Sequence, residues 1–277
     1  MRVLALSFVL LTVVAVAAQT PAPAPAAPAA PVAAAPPVPG GGRAAMPLPE
    51  LTCPELATAL RGVAGADIRL RDWQQLNRYR AANQSVKNVD VVFMGDSITD
   101  VWQQPRFSFF PGKAYISRGI SAQTTPQMLV RFRPDVIDLH PKVVVILAGT
   151  NDIAGNTGPM TDAEIQGNLA SMSELAHANK IKVVFSSITP VSNYHVAPNG
   201  NPQTSQRPVA RVLAMNNWMK KYAADHGDTY LDYYSAMIDD KGLMRAELTA
   251  DDLHPNAAGY AIMAPLAEAA IQRALRN

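Results

Sequence analysis

From residue 89 onward, five short apolar runs alternate with longer segments of helical spacing, and this alternation constrains the fold more than any other feature. The runs are rich in β-branched residues: "VDVVFM" (89–94), "AYIS" (114–117), "KVVVILAG" (142–149), "KVVFSSI" (182–188) and the weaker "TYLDY" (229–233). Each is too short for a buried helix and has no polar face, as expected of a strand covered on both sides. Between and after them, residues 126–138, 161–178, 207–226 and 256–275 carry apolar positions at helical spacing, and 55–82 reads as a further helix before the first strand. Strand–helix alternation of this kind predicts an α/β fold, a parallel sheet of about five strands with helices on both faces.

The segments before this region read differently. "MRVLALSFVLLTVVAVAAQT" has a positive start at Arg2, an apolar run and small residues at Ala15, Ala17 and Ala18, the pattern of an export signal over 1–18. The run is short of the roughly 20 apolar residues that span a bilayer, so retention as an uncleaved anchor is the alternative. Residues 19–49 are Pro/Ala-rich, with three glycines at 40–42, which predicts an extended, unpacked linker. The working domain is then 50–277, and the protein is expected to be exported, to the periplasm or outside the cell, with no integral membrane domain beyond that possible anchor.

Composition excludes several functions. Net charge is +2 and the basic residues are scattered, so no stripe suited to nucleic acid is present. The single cysteine, Cys53, forms no internal disulfide and no multi-cysteine metal site.

In an open parallel sheet, ligands bind beyond the carboxyl ends of the strands. Three loops fall at that edge: "GDS" after the first strand, "SAQTTP" after the second and "GTNDIAGN" after the third. The first is "GDS" at 95–97. Ser97 there could cap a helix, or it could be a nucleophile at a strand-to-helix turn where Gly95 permits a tight bend. A neutral serine attacks poorly, so the second reading demands a base. "ADDLHPNAAGY" (250–260) offers one. Asp251 and His254 stand three apart, and Pro255 suits the first position of the following helix. The acid could hold one ring nitrogen while the other faces outward as a base. In "LAGTNDIAG" (147–155), Asn151 follows a strand and its amide could donate to an oxyanion, although an Asn/Asp turn would use the same residues. Nucleophile, base, orienting acid and oxyanion donor on one sheet edge are harder to explain as separate accidents than as one site.

"GDSIT", "GTND" and "DDLHPN", in that order, resemble the SGNH (GDSL-type) hydrolases, a family of esterases and lipases, over roughly residues 88–270. The resemblance implies a flavodoxin-like three-layer α/β/α sandwich and neither a metal nor an organic cofactor. It implies Ser97 as nucleophile, His254 as general base, Asp251 as its partner and Asn151 as an oxyanion donor with the Ser97 amide. The family's second block ends in a glycine whose amide also donates. Aligning "RGISAQTT" places Ala122 there, with Gly119 left to serve the turn, and a positive φ at Ala122 would cost energy.

The expected function is a serine esterase acting on short-chain acyl esters, foremost acetyl esters of carbohydrates. The alternatives are short-chain aryl or lipid esters (lysophospholipase-like), acyl transfer to a glycan, and a non-catalytic glycan-binding module. The long loop 189–208 borders the predicted site. Its Tyr194 and His195 read as ordinary loop residues in preference to substrate contacts.

Overall fold

The computed structural model describes residues 72–197 and 200–276. The export signal, the linker, Cys53 and most of the expected 55–82 helix lie outside the described residues. Five strands, β1 (Val91–Gly95), β2 (Tyr115–Gly119), β3 (Val143–Leu147), β4 (Lys182–Ser186) and β5 (Thr229–Leu231), form one sheet in the order β2-β1-β3-β4-β5. Every pairing is parallel. The helices are α1 (Arg80–Ser85), α2 (Ser97–Trp102), α3 (Thr125–Asp135), α4 (Thr150–Ile153), α5 (Asp162–Ala178), α6 (Gln203–Gln206), α7 (Val209–His226), α8 (Tyr234–Met237) and α9 (Ala257–Arg276).

Alternation along each strand divides the core in two. Val92, Met94, Val144, Ile146, Val183 and Phe185 point to the layer formed by α3, α5 and α7. Their neighbours Val91, Phe93, Val143, Val145, Leu147 and Val184 point to the layer of α2 and α9. Both faces are therefore buried, which is why the strands read as continuous apolar runs, and the result is the expected three-layer α/β/α sandwich.

The chain departs from the expected 55–82 helix where it can be followed. Residues 72–79 are turns, and only Arg80–Ser85 is helical. The Asp72 carboxylate accepts from the amides of Leu76 (2.7 Å) and Asn77 (3.1 Å), and Gln75 adopts φ +57°, so this turn competes with a regular helix. Among the described residues no helix is long and apolar enough to cross a membrane.

Candidate active site

β1 delivers the serine. A Cβ placed on Gly95 would sit 2.2 Å from Thr99 Oγ1 and 3.0 Å from the carbonyl of Leu147, so glycine is needed there for the close approach of α2 and β3. That replaces the tight bend expected of it. Asp96 caps α2, its Oδ1 accepting from the Ile98 amide at 2.9 Å. Capping thus falls to Asp96, and the hydroxyl of Ser97, the first helical residue, is available for another partner.

That partner is His254. Its Nε2 lies 2.9 Å from Ser97 Oγ, and its Nδ1 lies 2.6 Å from Asp251 Oδ2. The other Asp251 oxygen accepts from the backbone amides of His254 (2.8 Å) and Leu253 (3.1 Å). The carboxylate therefore closes its own turn and holds the ring in one orientation. Burial alone would raise the Asp251 carboxyl, but the His254 ring and amide hold it below its ordinary value. Pro255 is not the first residue of α9. It pairs with Thr249 in an isolated antiparallel bridge, and Asn256 caps the helix by accepting from Ala258 (2.9 Å) and Gly259 (3.2 Å).

Asn151 is buried in the first turn of α4. Its Nδ2 donates to the Gln123 carbonyl at 3.0 Å, and its Oδ1 accepts from Arg207 Nη2 at 3.4 Å. One of its two amide hydrogens is thereby committed. Ala122 adopts φ +66°, the strained conformation that glycine would take without cost. Its carbonyl accepts from Asn156 Nδ2 at 3.2 Å, and among the described residues no hydrogen bond engages its amide. Gly119 serves packing and not the turn, because a Cβ there would lie 2.2 Å from the Asp100 amide nitrogen.

Several residues that sequence reasoning passed over support this set. Asp252 is buried at φ +65° and its carboxylate receives Ser192 Oγ (2.5 Å) and the amides of Tyr194 (2.9 Å) and His195 (2.8 Å). The ring Nδ1 of His195 is 3.1 Å from the same group. This clamp fastens the 251–254 turn to the loop after β4, and it accounts for His195 in structural terms. The Tyr194 hydroxyl bonds to Asp239. Arg207 is buried, and its Nε donates to Thr150 Oγ1 at 3.0 Å. Burial lowers the pKa of its guanidinium, with the Asp96 charge acting in the opposite direction. Asp96 itself is fully buried, which pushes its carboxyl up to about 6 against the opposing effect of the Ile98 amide and His254. The doubled acid "DD" was the one available signal for Asp252; Arg207 has none in its surroundings.

Two clefts border the site. One, of about 500 Å³, is lined by Trp73, Gln75, Ala122, Asn156 and neighbours; the other, of about 420 Å³, by Arg106, Phe107, Asp251, His254 and neighbours. Among the described residues no cluster of three or more His, Cys, Asp or Glu could hold a metal ion.

Comparison with known proteins identifies the family. The model of the GDSL-like lipase/acylhydrolase family matches residues 93–262, more than half of the chain. The chain belongs to that family. A candidate acylhydrolase from Bacteroides fragilis NCTC 9343 is 38% identical to this chain, with a TM-score of 0.67 over 74% of this chain and 99% of its own. A GDSL-like lipase from Bacteroides thetaiotaomicron VPI-5482 is also 38% identical, with a TM-score of 0.65 over 73% and 98%. An acetylxylan esterase from Geobacillus stearothermophilus shares the fold at 20% identity, with a TM-score of 0.53 over 67% and 96%. None of the curated proteins compared matches the chain.

Proposed function

We propose that this GDSL-like acylhydrolase is an exported serine esterase that removes short acyl groups, foremost acetyl, from carbohydrates through an acyl-enzyme at Ser97. The observation that carries the reading is the continuous hydrogen-bond path from Ser97 Oγ through the His254 ring to Asp251, 2.9 and 2.6 Å at its two links.

His254 Nε2 takes the Ser97 proton as Oγ attacks the ester carbonyl. Asp251 keeps Nδ1 protonated and stabilises the imidazolium that forms. The amides of Ser97 and Ala122 and the side chain of Asn151 hold the negative oxygen of the tetrahedral intermediate. As that intermediate collapses, the C–O bond to the alcohol breaks and the imidazolium gives its proton to the leaving oxygen. Water, deprotonated by His254, then attacks the acyl carbonyl; the bond from that carbon to Ser97 Oγ breaks, Oγ takes the proton back from the imidazolium, and the acid is released.

The small acyl group is supported by the kinship of fold with an acetylxylan esterase. Rates on p-nitrophenyl acetate, butyrate and palmitate test the acyl length, with acetate expected to be fastest; a preference for palmitate overturns it. Ser97→Ala is expected to remove turnover and fluorophosphonate labelling while the protein stays folded. Wild-type rates in that variant would refute the mechanism.

A further inference from the structure

Trp73 keeps 41% of its surface exposed although the backbone around it is firmly held. Its carbonyl accepts from Gln127 Nε2 at 2.6 Å, and that of Gln74 accepts from Gln123 Nε2 at 2.8 Å. Both glutamines are buried and otherwise engaged, Gln123 with Arg131 (2.5 Å) and Gln127 with the Thr124 amide (3.1 Å). Asp72 braces the same turn from the other side. The fold thus fixes the residue while leaving about two-fifths of its surface in solvent, where that part forgoes the stabilisation that burial would give. A large apolar side chain that is exposed and held in place beside a cleft has the form of a binding surface.

Two clefts flank the proposed site, and the indole lines one of them. Its cleft includes Ala122, so it begins at one of the proposed oxyanion donors; the second cleft includes His254, which protonates the leaving alcohol. The two share no lining residue. An acetyl ester of a small alcohol needs neither. A chain of sugars acylated on an internal residue extends both ways from the reacting ester and needs both.

We propose that the substrate is an oligomeric glycan ester lying across the two clefts, with one pyranose ring stacked on Trp73. This extends the glycan-ester reading above and rests on it. One face of a pyranose is a patch of C–H groups that packs on an indole, while its ring hydroxyls reach side-chain amides at the cleft edge, here Gln75 and Asn156. Trp73 is a binding residue and touches no reacting atom.

The test compares the intact chain with Trp73→Ala and Trp73→Phe on ethyl acetate, an acetylated methyl xyloside and acetylated xylohexaose. The wild-type kcat/KM is expected to rise with sugar-chain length. In Trp73→Ala the ratio of kcat/KM for the hexaose to that for ethyl acetate should fall by about 10- to 100-fold, through KM, with part recovered in Trp73→Phe. An unchanged ratio overturns the proposal. Hydrolysis of ethyl acetate with none of either glycan ester also overturns it and leaves the esterase chemistry standing. Should the chain cleave no ester, the esterase reading fails and calorimetric titration with unacetylated xylohexaose decides. Binding that is lost in Trp73→Ala supports the subsite, and no binding overturns it.

Discussion

Asn151 donates from Nδ2 to the backbone carbonyl of Gln123 at 3.0 Å, which ties the loop after β3 to the loop after β2 that carries Ala122. The two proposed oxyanion donors are therefore linked through one hydrogen bond.

Asn151→Ala removes one donor and this tie together. The expected loss is about 10²–10³-fold in kcat, with KM little altered, because the donor acts on charge that exists only in the transition state. Steady-state rates on p-nitrophenyl acetate measure it. A loss confined to KM would assign Asn151 to ground-state binding instead.

Ala122 at φ +66° carries backbone strain of roughly 1–2 kcal/mol relative to an ordinary conformation. Ala122→Gly removes that strain but gives the unfolded chain more freedom, a counter-effect of about 0.4–1 kcal/mol. The expected result is a protein more stable by up to about 1.5 kcal/mol with kcat retained, since the amide stays in place. Urea denaturation beside rate measurements checks both halves. A large fall in kcat would mean that the alanine methyl, and not merely the amide, is needed at this position.

Much of this arrangement was legible in the sequence because two periodicities and three short motifs carried it. Strands buried on both faces leave continuous apolar runs, and Ser97, Asn151, Asp251 and His254 all follow local turn signals. The supporting contacts were not legible, because they join residues far apart in the chain. Nothing near Arg207 indicates that it will meet Asn151, 56 positions away. Asp72 likewise looks like a helical residue until its carboxylate is seen closing a turn. Gly95 and Gly119 were recognisable as special, but their reason is close approach by another element, which only packing reveals.

Asp252 tests whether the clamp under the 251–254 turn affects the proposed chemistry. Four donor atoms, from Ser192, Tyr194 and His195, converge on its carboxylate, which they hold below its ordinary pKa against the upward effect of burial. Asp252→Asn keeps the shape and tolerates the positive φ, but offers one accepting oxygen where two were used. The variant should lose about 2–3 kcal/mol of stability. Its kcat should fall about tenfold at constant KM as His254, two residues on, drifts from its bonding distance. Fluorophosphonate labelling of Ser97 should slow in parallel. A lower melting temperature with unaltered kcat would show the clamp to be purely structural.

Asp96 makes the fold sensitive to pH in a direction opposite to that of most carboxylates. Its pKa rises from 3.8 to about 6 because the group is fully buried, with Oδ2 lacking a partner among the described residues. Below about pH 4 both folded and unfolded chains hold the proton. Between pH 4 and 6 the unfolded chain releases it and the folded chain retains it, so this group's contribution to stability declines as pH rises and is fully lost above about 6. The shift corresponds to at most about 3 kcal/mol. Asp96→Asn keeps an acceptor for the Ile98 amide and removes the titration. Relative to wild type, the variant should gain stability between pH 4 and 7 by up to that amount, as read from urea denaturation at one-unit steps. A difference that stays flat across this range would show that the buried carboxyl titrates as an ordinary aspartate.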